Sequence, residues 1–260
     1  MKKKLFCFDL DMTLLDHKTY TVTESALQTL EKLKNQGHVV TIATGRDMDI
    51  EFSRPYKEMI QPTAIVHCNG QKVTVGDKKI HEVFMDKELV RELMEFAKEK
   101  DLTLGFNIGE DYCYVNPERV QRLYNRMNSD MNINFLDEKY LLTNSFYALA
   151  YIGDPAGAHL IEETFPQVKL PLFAGKEGAD IIGREVAKTN GIHVLQDYYQ
   201  IPDEDVVAFG DSMNDYEMVR DAGIGVAMGN AVGPLKEIAD FVTRPIDEDG
   251  ICYALEKLNL

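Results

Sequence analysis

The stretch Lys4-Leu5-Phe6-Cys7-Phe8-Asp9-Leu10-Asp11-Met12-Thr13-Leu14-Leu15 decides how the chain is read. Leu5 to Phe8 is a continuous apolar run of strand length, as expected for a strand buried on both faces of a parallel sheet. It stops at Asp9, and Asp11 follows two residues on. Open α/β sheets bind ligands beyond the carboxyl ends of their strands, so the two acids are aimed at one point in such a place. Carboxylates gathered there repel one another unless a cation neutralises them, which makes this a candidate metal site. Read alone, Asp-x-Asp is equally the turn that ends a strand, since Asp is a common turn residue.

Outward from this strand the pattern alternates. Residues 24–35 carry Ala26, Leu27, Leu30 and Leu33 at helical spacing, with Thr23 as N-cap and Gly37 near the end. Residues 38–43 read as the next buried strand, 47–59 as a weaker helix interrupted by Pro55, and 64–67 as a third strand ending at Asn69-Gly70. Strand, helix, strand, helix, strand is the grammar of a doubly wound parallel sheet, a Rossmann-like α/β core. Residues 71–75 and 79–84, separated by Gly76-Asp77-Lys78, read instead as a hairpin.

From about Asp86 the character changes. An amphipathic helix over 87–100 precedes strands over 103–108 and 112–115 and a helix from Glu118 to about Met127. Residues 146–152, a helix over 156–165 and strands over 169–173 and 179–182 complete a mixed block. The parallel grammar returns with a helix over 185–198, a strand over 205–209, a helix over 215–221 and a strand over 224–227. The expected organisation is a core of residues 1–84 and 184–260 split by an α+β cap domain over 85–183.

With 260 residues the chain can bury one large or two modest cores. Its net charge of −15 argues against a nucleic-acid or anionic-membrane partner held by electrostatics. No apolar run approaches transmembrane length, and Met-Lys-Lys-Lys leads into Asp9 and Asp11 with no apolar segment of signal-peptide length. The four cysteines lack Cys-x-x-Cys spacing and read as reduced thiols of a cytoplasmic protein. The histidines are scattered, which disfavours zinc; no EF-hand loop starts at Asp9 or Asp211; no Gly-x-Gly-x-x-Gly follows the first strand.

Three further motifs stand at element ends: Thr44-Gly45-Arg46, Lys188, and Gly210-Asp211-Ser212-Met213-Asn214-Asp215. Thr44 and Gly45 can donate a hydroxyl and an amide to phosphate oxygens at a helix start. Arg46 reads as a solvated arginine of a first helical turn, and Lys188, by its neighbours alone, as a surface lysine. A carboxylate such as Asp9, at a strand end beside a divalent cation, can attack phosphorus. Asp211 adds a second anionic oxygen, and an all-oxygen donor set suits Mg²⁺.

Together with Asp9-Leu10-Asp11, these motifs resemble the haloacid dehalogenase superfamily in order and placement. The long insert between Asn69-Gly70 and Lys188 is similar to its Cof-type branch, which carries a large C2 cap. The resemblance spans essentially the whole chain; around Lys188 the sequence reads Ala187-Lys188-Thr189-Asn190-Gly191 where the branch usually has Ser-Lys-Gly. It implies an Mg²⁺-dependent phosphomonoester hydrolase working through an aspartyl-phosphate on small phosphorylated metabolites, sugar phosphates or phosphorylated cofactors. Asp9 would be nucleophile and metal ligand. Asp11 would be general acid and then base, reaching the metal through its backbone carbonyl. Asp211 and Asp215 would complete the metal site, Asp215 through water or by orienting Lys188. Leu10, Thr44, Gly45, Lys188 and Asn214 would contact phosphate. The cap would choose the ester, and a monomer or weak homo-oligomer is expected. A phosphomutase on the same site, or a phosphometabolite-binding regulator without turnover, are the alternatives.

Overall fold

The computed structural model describes residues 2–108, 111–126, 134–173 and 176–260. The chain divides into two compact units, Met1–Glu82 with Val186–Leu260, and Val83–Glu185. Among the described residues, no helix is long and apolar enough to cross a membrane.

The first unit is built on an eight-stranded sheet. Its spatial order is Phe241–Val242, Ile224–Ala227, Val206–Gly210, Leu5–Phe8, Val39–Ala43, Ala64–His67, Lys72–Val75 and Lys78–Glu82. The first six strands are parallel and the last two form an antiparallel hairpin at one edge. Leu5–Phe8 sits in the middle, and its residues are fully buried because helices cover both faces. Phe6 and Phe8 point to one side, where they pack with Leu30 and Leu33 of helix Glu24–Asn35 and with Ala254 of helix Gly250–Leu258. Leu5 and Cys7 alternate to the other side and meet Ile192 and Leu195 of helix Lys188–Tyr199. This is the doubly wound arrangement expected from the apolar runs.

The second unit carries a six-stranded sheet ordered Asn134–Phe135, Asp111–Val115, Thr103–Ile108, Leu149–Ile152, Gly178–Gly183, Val168–Lys169. Its strands alternate faces. Cys113, Val115, Leu149 and Tyr151 pack under helices Lys87–Glu99 and Pro155–Thr164. Tyr112, Tyr114 and Ile152 face the other way and pack with Val120 of helix Glu118–Arg126. Met127, the expected end of that helix, lies outside the described residues.

Several boundaries differ from the sequence reading. The helix expected over 47–59 runs Arg54–Ile60, with Pro55 in its first turn; proline favours that position, where its missing N–H costs nothing. The helix expected from 185 begins at Lys188, because Ala187 is still extended. The strand expected over 146–152 is confined to Leu149–Ile152. The one expected over 169–173 is Val168–Lys169 followed by an isolated bridge at Leu172; Pro171 between them has no N–H for a ladder. The short pair Leu15–Asp16 and Thr21–Val22, the edge strand Phe241–Val242 and helices Gly233–Ile238 and Gly250–Leu258 were not foreseen. All four cysteines are free.

Candidate active site

The sheet register sets the geometry. Phe8 pairs with Phe209 in the neighbouring parallel strand, and the Asp9 amide donates to the Phe209 carbonyl at 2.9 Å. Asp9 and Asp211 therefore leave two adjacent strands at the same end of the sheet. The chain then turns sharply at each exit. After Asp9, the amides of Leu14 and Leu15 donate to the Leu10 carbonyl, and Met12 takes a left-handed conformation (φ 60°). After Val206–Gly210, a capping box closes between Ser212 and Asp215. A Cβ on Gly210 would lie 2.5 Å from the Asp215 side chain, so only glycine lets Asp215 fold back against the strand end.

Lys188 reaches the same point from the start of its helix. That helix start lies against the turn at Gly70, where a Cβ would fall 2.3 Å from the Ala187 carbonyl oxygen. Gly70 also has φ +100°, a second reason for glycine there. The resulting placement overturns the surface reading of Lys188: its side chain is wholly buried. Its Nζ donates to Asp9 Oδ1 and, at 2.6 Å, to Asp215 Oδ1. Asp215 Oδ2 accepts from the amides of Asp211 (2.9 Å) and Ser212 (3.1 Å). Asp211 Oδ1 accepts from the hydroxyl of Thr13 at 3.1 Å.

Charge does not balance here. Asp9, Asp211 and Asp215 are 4, 9 and 0% exposed and offer carboxylate oxygens within 4.8 Å of one another. Lys188 is the one ammonium paired with them in the ion pairs of the described residues. Burial, then the neighbouring Asp215 charge, push the Asp9 carboxyl well above its ordinary value despite Lys188. The same two causes push Asp211 up to about 6. Lys188 is driven the other way from an ordinary buried lysine: burial opposes its charge, but Asp215 and Asp9 outweigh it and raise it. A cluster of buried, oxygen-only ligands carrying excess negative charge fits a hard divalent cation. Asp9 and Asp211 have oxygens to offer, whereas both oxygens of Asp215 are already engaged.

Asp11 is not in this cluster. Its half-buried carboxylate is gripped by Arg46, whose Nε donates to Oδ2 at 2.8 Å and whose Nη2 donates to Oδ1. His17 Nε2 lies 2.6 Å from the same Oδ1. Burial works to raise Asp11, but the hydrogen bonds and charges of Arg46 and His17 prevail and hold it below its ordinary value. Arg46 is thus a partner of the candidate acid rather than a solvated side chain.

Of the remaining expected residues, Thr44, Gly45 and Asn214 gather beside Asn69. Thr44 is buried, and its Oγ1 accepts from the Arg46 amide at 3.1 Å, which leaves the hydroxyl proton for another acceptor. The Asn69 side chain lies against Gly45. It also accepts from Asn214 Nδ2 at 3.4 Å, and Asn214 Oδ1 in turn accepts from Ser212. The Leu10 side chain is buried in the core, so any ligand contact it makes is through its main chain. Arg46 was singled out but read as solvated, and Thr13, His17 and Asn69 were given no role. Of these three, only Asn69 carried a signal, as the residue that ends the third strand.

A family model for haloacid dehalogenase-like hydrolases matches residues 6–255. The 5-amino-6-(5-phospho-D-ribitylamino)uracil phosphatase YitU of Bacillus subtilis is 30% identical over 98% of this chain and 97% of its own. Among solved structures, BT1666 of Bacteroides thetaiotaomicron, a phosphatase of the same superfamily, superposes with a TM-score of 0.88 at 26% identity, covering 99% of this chain and 95% of that one. The subclass IIB sugar phosphatase BT4131 superposes with a TM-score of 0.81, also at 26% identity, over 99% of both chains. The motifs, the doubly wound sheet with its inserted unit and these likenesses agree: the chain belongs to the haloacid dehalogenase-like hydrolases, as an enzyme of their phosphatase branch.

Proposed function

We propose that the chain is an Mg²⁺-dependent phosphomonoester hydrolase that works through an aspartyl-phosphate at Asp9. The observation that carries this reading is the buried set of Asp9, Asp211 and Asp215 around a single lysine, at the carboxyl ends of two adjacent parallel strands. Asp9 and Asp211 would hold Mg²⁺, with Asp215 acting through water and through Lys188, and the Asp11 carbonyl as a further ligand. When bound, the cation neutralises the carboxylates and polarises the phosphoryl group.

Asp9 then attacks phosphorus, the bond from phosphorus to the ester oxygen breaks, and the leaving alcohol takes a proton from Asp11. Water, giving its proton to Asp11, attacks the same phosphorus; the acyl-phosphate bond breaks, phosphate leaves and the Asp9 carboxylate is restored. Lys188, the Thr44 hydroxyl, the main-chain amides of Leu10 and Gly45, and Asn214 would receive phosphoryl oxygens. Arg46 favours ionised Asp11, the form needed as base, so the acid step requires Asp11 to loosen from Arg46 and carry a proton. The substrate class is a small phosphorylated metabolite, supported by the named activities of a phosphoribitylaminouracil phosphatase and a sugar phosphatase among the relatives. The inserted unit is assigned the choice of ester, because the core motifs hold ligands for metal and phosphoryl group and little else.

The test is phosphate release across a panel of phosphorylated metabolites with Mg²⁺, run beside Asp9→Asn. Turnover by the parent and none by the variant is the expected result, with a phosphoryl adduct on the Asp9 peptide after rapid acid quench. Turnover by Asp9→Asn near the parent rate removes Asp9 from the mechanism. Binding of esters without release by the parent would identify a regulator instead.

A further inference from the structure

The inserted unit has a basic pocket that this chemistry does not use. Helix Glu118–Arg126 carries Arg119, Arg122 and Arg126, spaced three and four residues apart and so aligned along one side of the helix. With Lys176 they line a pocket of about 770 Å³, to which Leu123 and Ile152 add apolar lining. Two acids also line it, Asp154 and Glu177. Four cations to two acids inverts the balance of the whole chain, which has 28 Lys and Arg against 43 Asp and Glu.

The acids do not cancel these cations. Asp154 Oδ1 is engaged by the Gly157 amide, as N-cap of helix Pro155–Thr164. Glu177 lies 3.6 Å from Arg126 in a pair whose side chains are both more than half exposed. Asp101, the partner of Arg119, is also 3.6 Å away and 88% exposed. Ion pairs this open are weak and yield to a better-matched anion. Arg122 is exposed and has no ion-pair partner among the described residues.

We propose that this pocket binds a small oligoanion, a compact molecule bearing two or more phosphate groups held apart by a body that rests on Leu123 and Ile152. Arg126 stands seven positions beyond Arg119 along the helix, a rise of roughly 10 Å, too far for a single phosphate to span. Guanidinium forks match phosphate oxygens two at a time, so a ligand with two phosphates can engage arginines at both ends of the row. A chain of net charge −15 repels anions as a whole, and a locally positive pocket with part of its lining apolar answers that field at one place. The assignment needs neither Asp9 nor a metal and stands or falls apart from the phosphatase reading.

The test is calorimetric titration of hexane-1,6-bisphosphonate, a non-hydrolysable dianion pair held apart by an apolar chain, into the full chain with metals chelated. Its comparators are Arg122→Gln alone, Arg122→Gln with Arg126→Gln, and Lys188→Met, each checked for a native fold by circular dichroism. Arg122→Gln alters one exposed, unpaired side chain, so it keeps the test valid if the double variant folds poorly. The expected result is one saturable site, weakened severalfold by the single and at least about tenfold by the double arginine change, and unmoved by Lys188→Met. No saturable binding at millimolar bisphosphonate overturns the proposal. So does binding lost in Lys188→Met, which places the anion in the core, or tighter binding of a short single-stranded RNA, which makes the patch a nucleic-acid surface. Two sources share this chemistry. A KM raised by the double change for a sugar bisphosphate but not for an aryl phosphate marks the enzyme's own substrate as the ligand. The bisphosphonate altering aryl phosphate turnover in the parent but not in the double variant marks a separate effector.

Discussion

Two acidic clusters in the core unit use the same residue types to opposite ends. Asp9, Asp211 and Asp215 gather around one lysine, while Asp47 and Asp49 gather with His67 around two. In the second cluster Lys72 Nζ lies 2.8 Å from Asp47 and 2.7 Å from Asp49, and Lys57 reaches Asp49 at 2.6 Å. The consequence is a reversal of sign. Burial opposes the charge of Asp47 and Asp49, but His67, Lys72 and Lys57 outweigh it, and both carboxyls fall below their ordinary value. Asp9 and Asp211 stand above theirs. A cluster that neutralises itself has no use for an external cation; one left with excess negative charge is stable only when something else supplies the positive charge. Counting cations within reach separates structural acids from acids built to bind.

The sharpest way to break this contrast is Asp9→Asn. Turnover should fall by at least about a thousandfold, since an amide is a poor nucleophile. The metal-free variant should melt no lower than the parent, because the substitution removes one of three crowded carboxylates and leaves Lys188 its Asp215 partner. Asp47→Asn should do the reverse, sparing turnover while costing about 1–3 kcal/mol of stability, because it removes one of the two carboxylates that hold Lys72 and leaves it only Asp49. Steady-state kinetics and chemical denaturation of both variants check the pair of outcomes together.

Metal dependence tests the same difference. Activity should vanish on chelation and return with Mg²⁺, and Mg²⁺ should raise the melting temperature. Saturation at a hundred times Kd corresponds to about 2.7 kcal/mol. Asp211→Ala should abolish that thermal shift and Asp47→Asn should leave it whole. A shift that survives Asp211→Ala but is lost in Asp47→Asn would assign the ion to the wrong cluster.

Asp11 lies between the two limits, a single carboxylate held by Arg46 and His17. Asp11→Asn should slow sugar phosphates by about a hundredfold or more and aryl phosphates far less, since aryl leaving oxygens need little protonation. Equal losses on both kinds of ester would place the defect in metal binding or in the second step.

The sequence was most informative where chemistry and local pattern coincide. Asp9 and Asp211 end apolar runs, and a strand that stops at an acid is visible in one dimension. Lys188 was not visible in this way, because its burial depends on Gly70 and Gly191 bringing two distant segments within backbone contact. Family order alone singled it out. Arg46 was misread because its partner Asp11 is 35 residues away, and a helical-turn pattern says nothing of such a neighbour. His17 was passed over because the strands around it, Leu15–Asp16 and Thr21–Val22, are two residues each and leave no periodicity to read. The cation count that distinguishes the two clusters is likewise a property of the fold, since Lys72 and Asp47 are far apart in sequence.

The smallest expected effect concerns how that self-neutralised cluster responds to acid. Asp47 is held below its ordinary value in the folded chain, so it binds its proton less readily there than in the unfolded chain, where its value is about 3.9. A carboxyl of this kind contributes stability that is complete above the unfolded value and is lost as pH falls through the lower, folded one. Lys72→Met removes a cation responsible for the depression and returns the folded value toward the ordinary range. The variant should therefore be less stable than the parent by about 1–3 kcal/mol at pH 6 to 7. The gap should narrow as pH drops below about 4, because both chains then unfold with Asp47 protonated. Denaturation curves for parent and variant at half-unit steps from pH 6 to pH 2.5 follow the gap directly. A gap that stays constant across that range would mean that Lys72 does not stabilise the fold through the charge of Asp47, and the second cluster would then no longer be the balanced counterpart of the first.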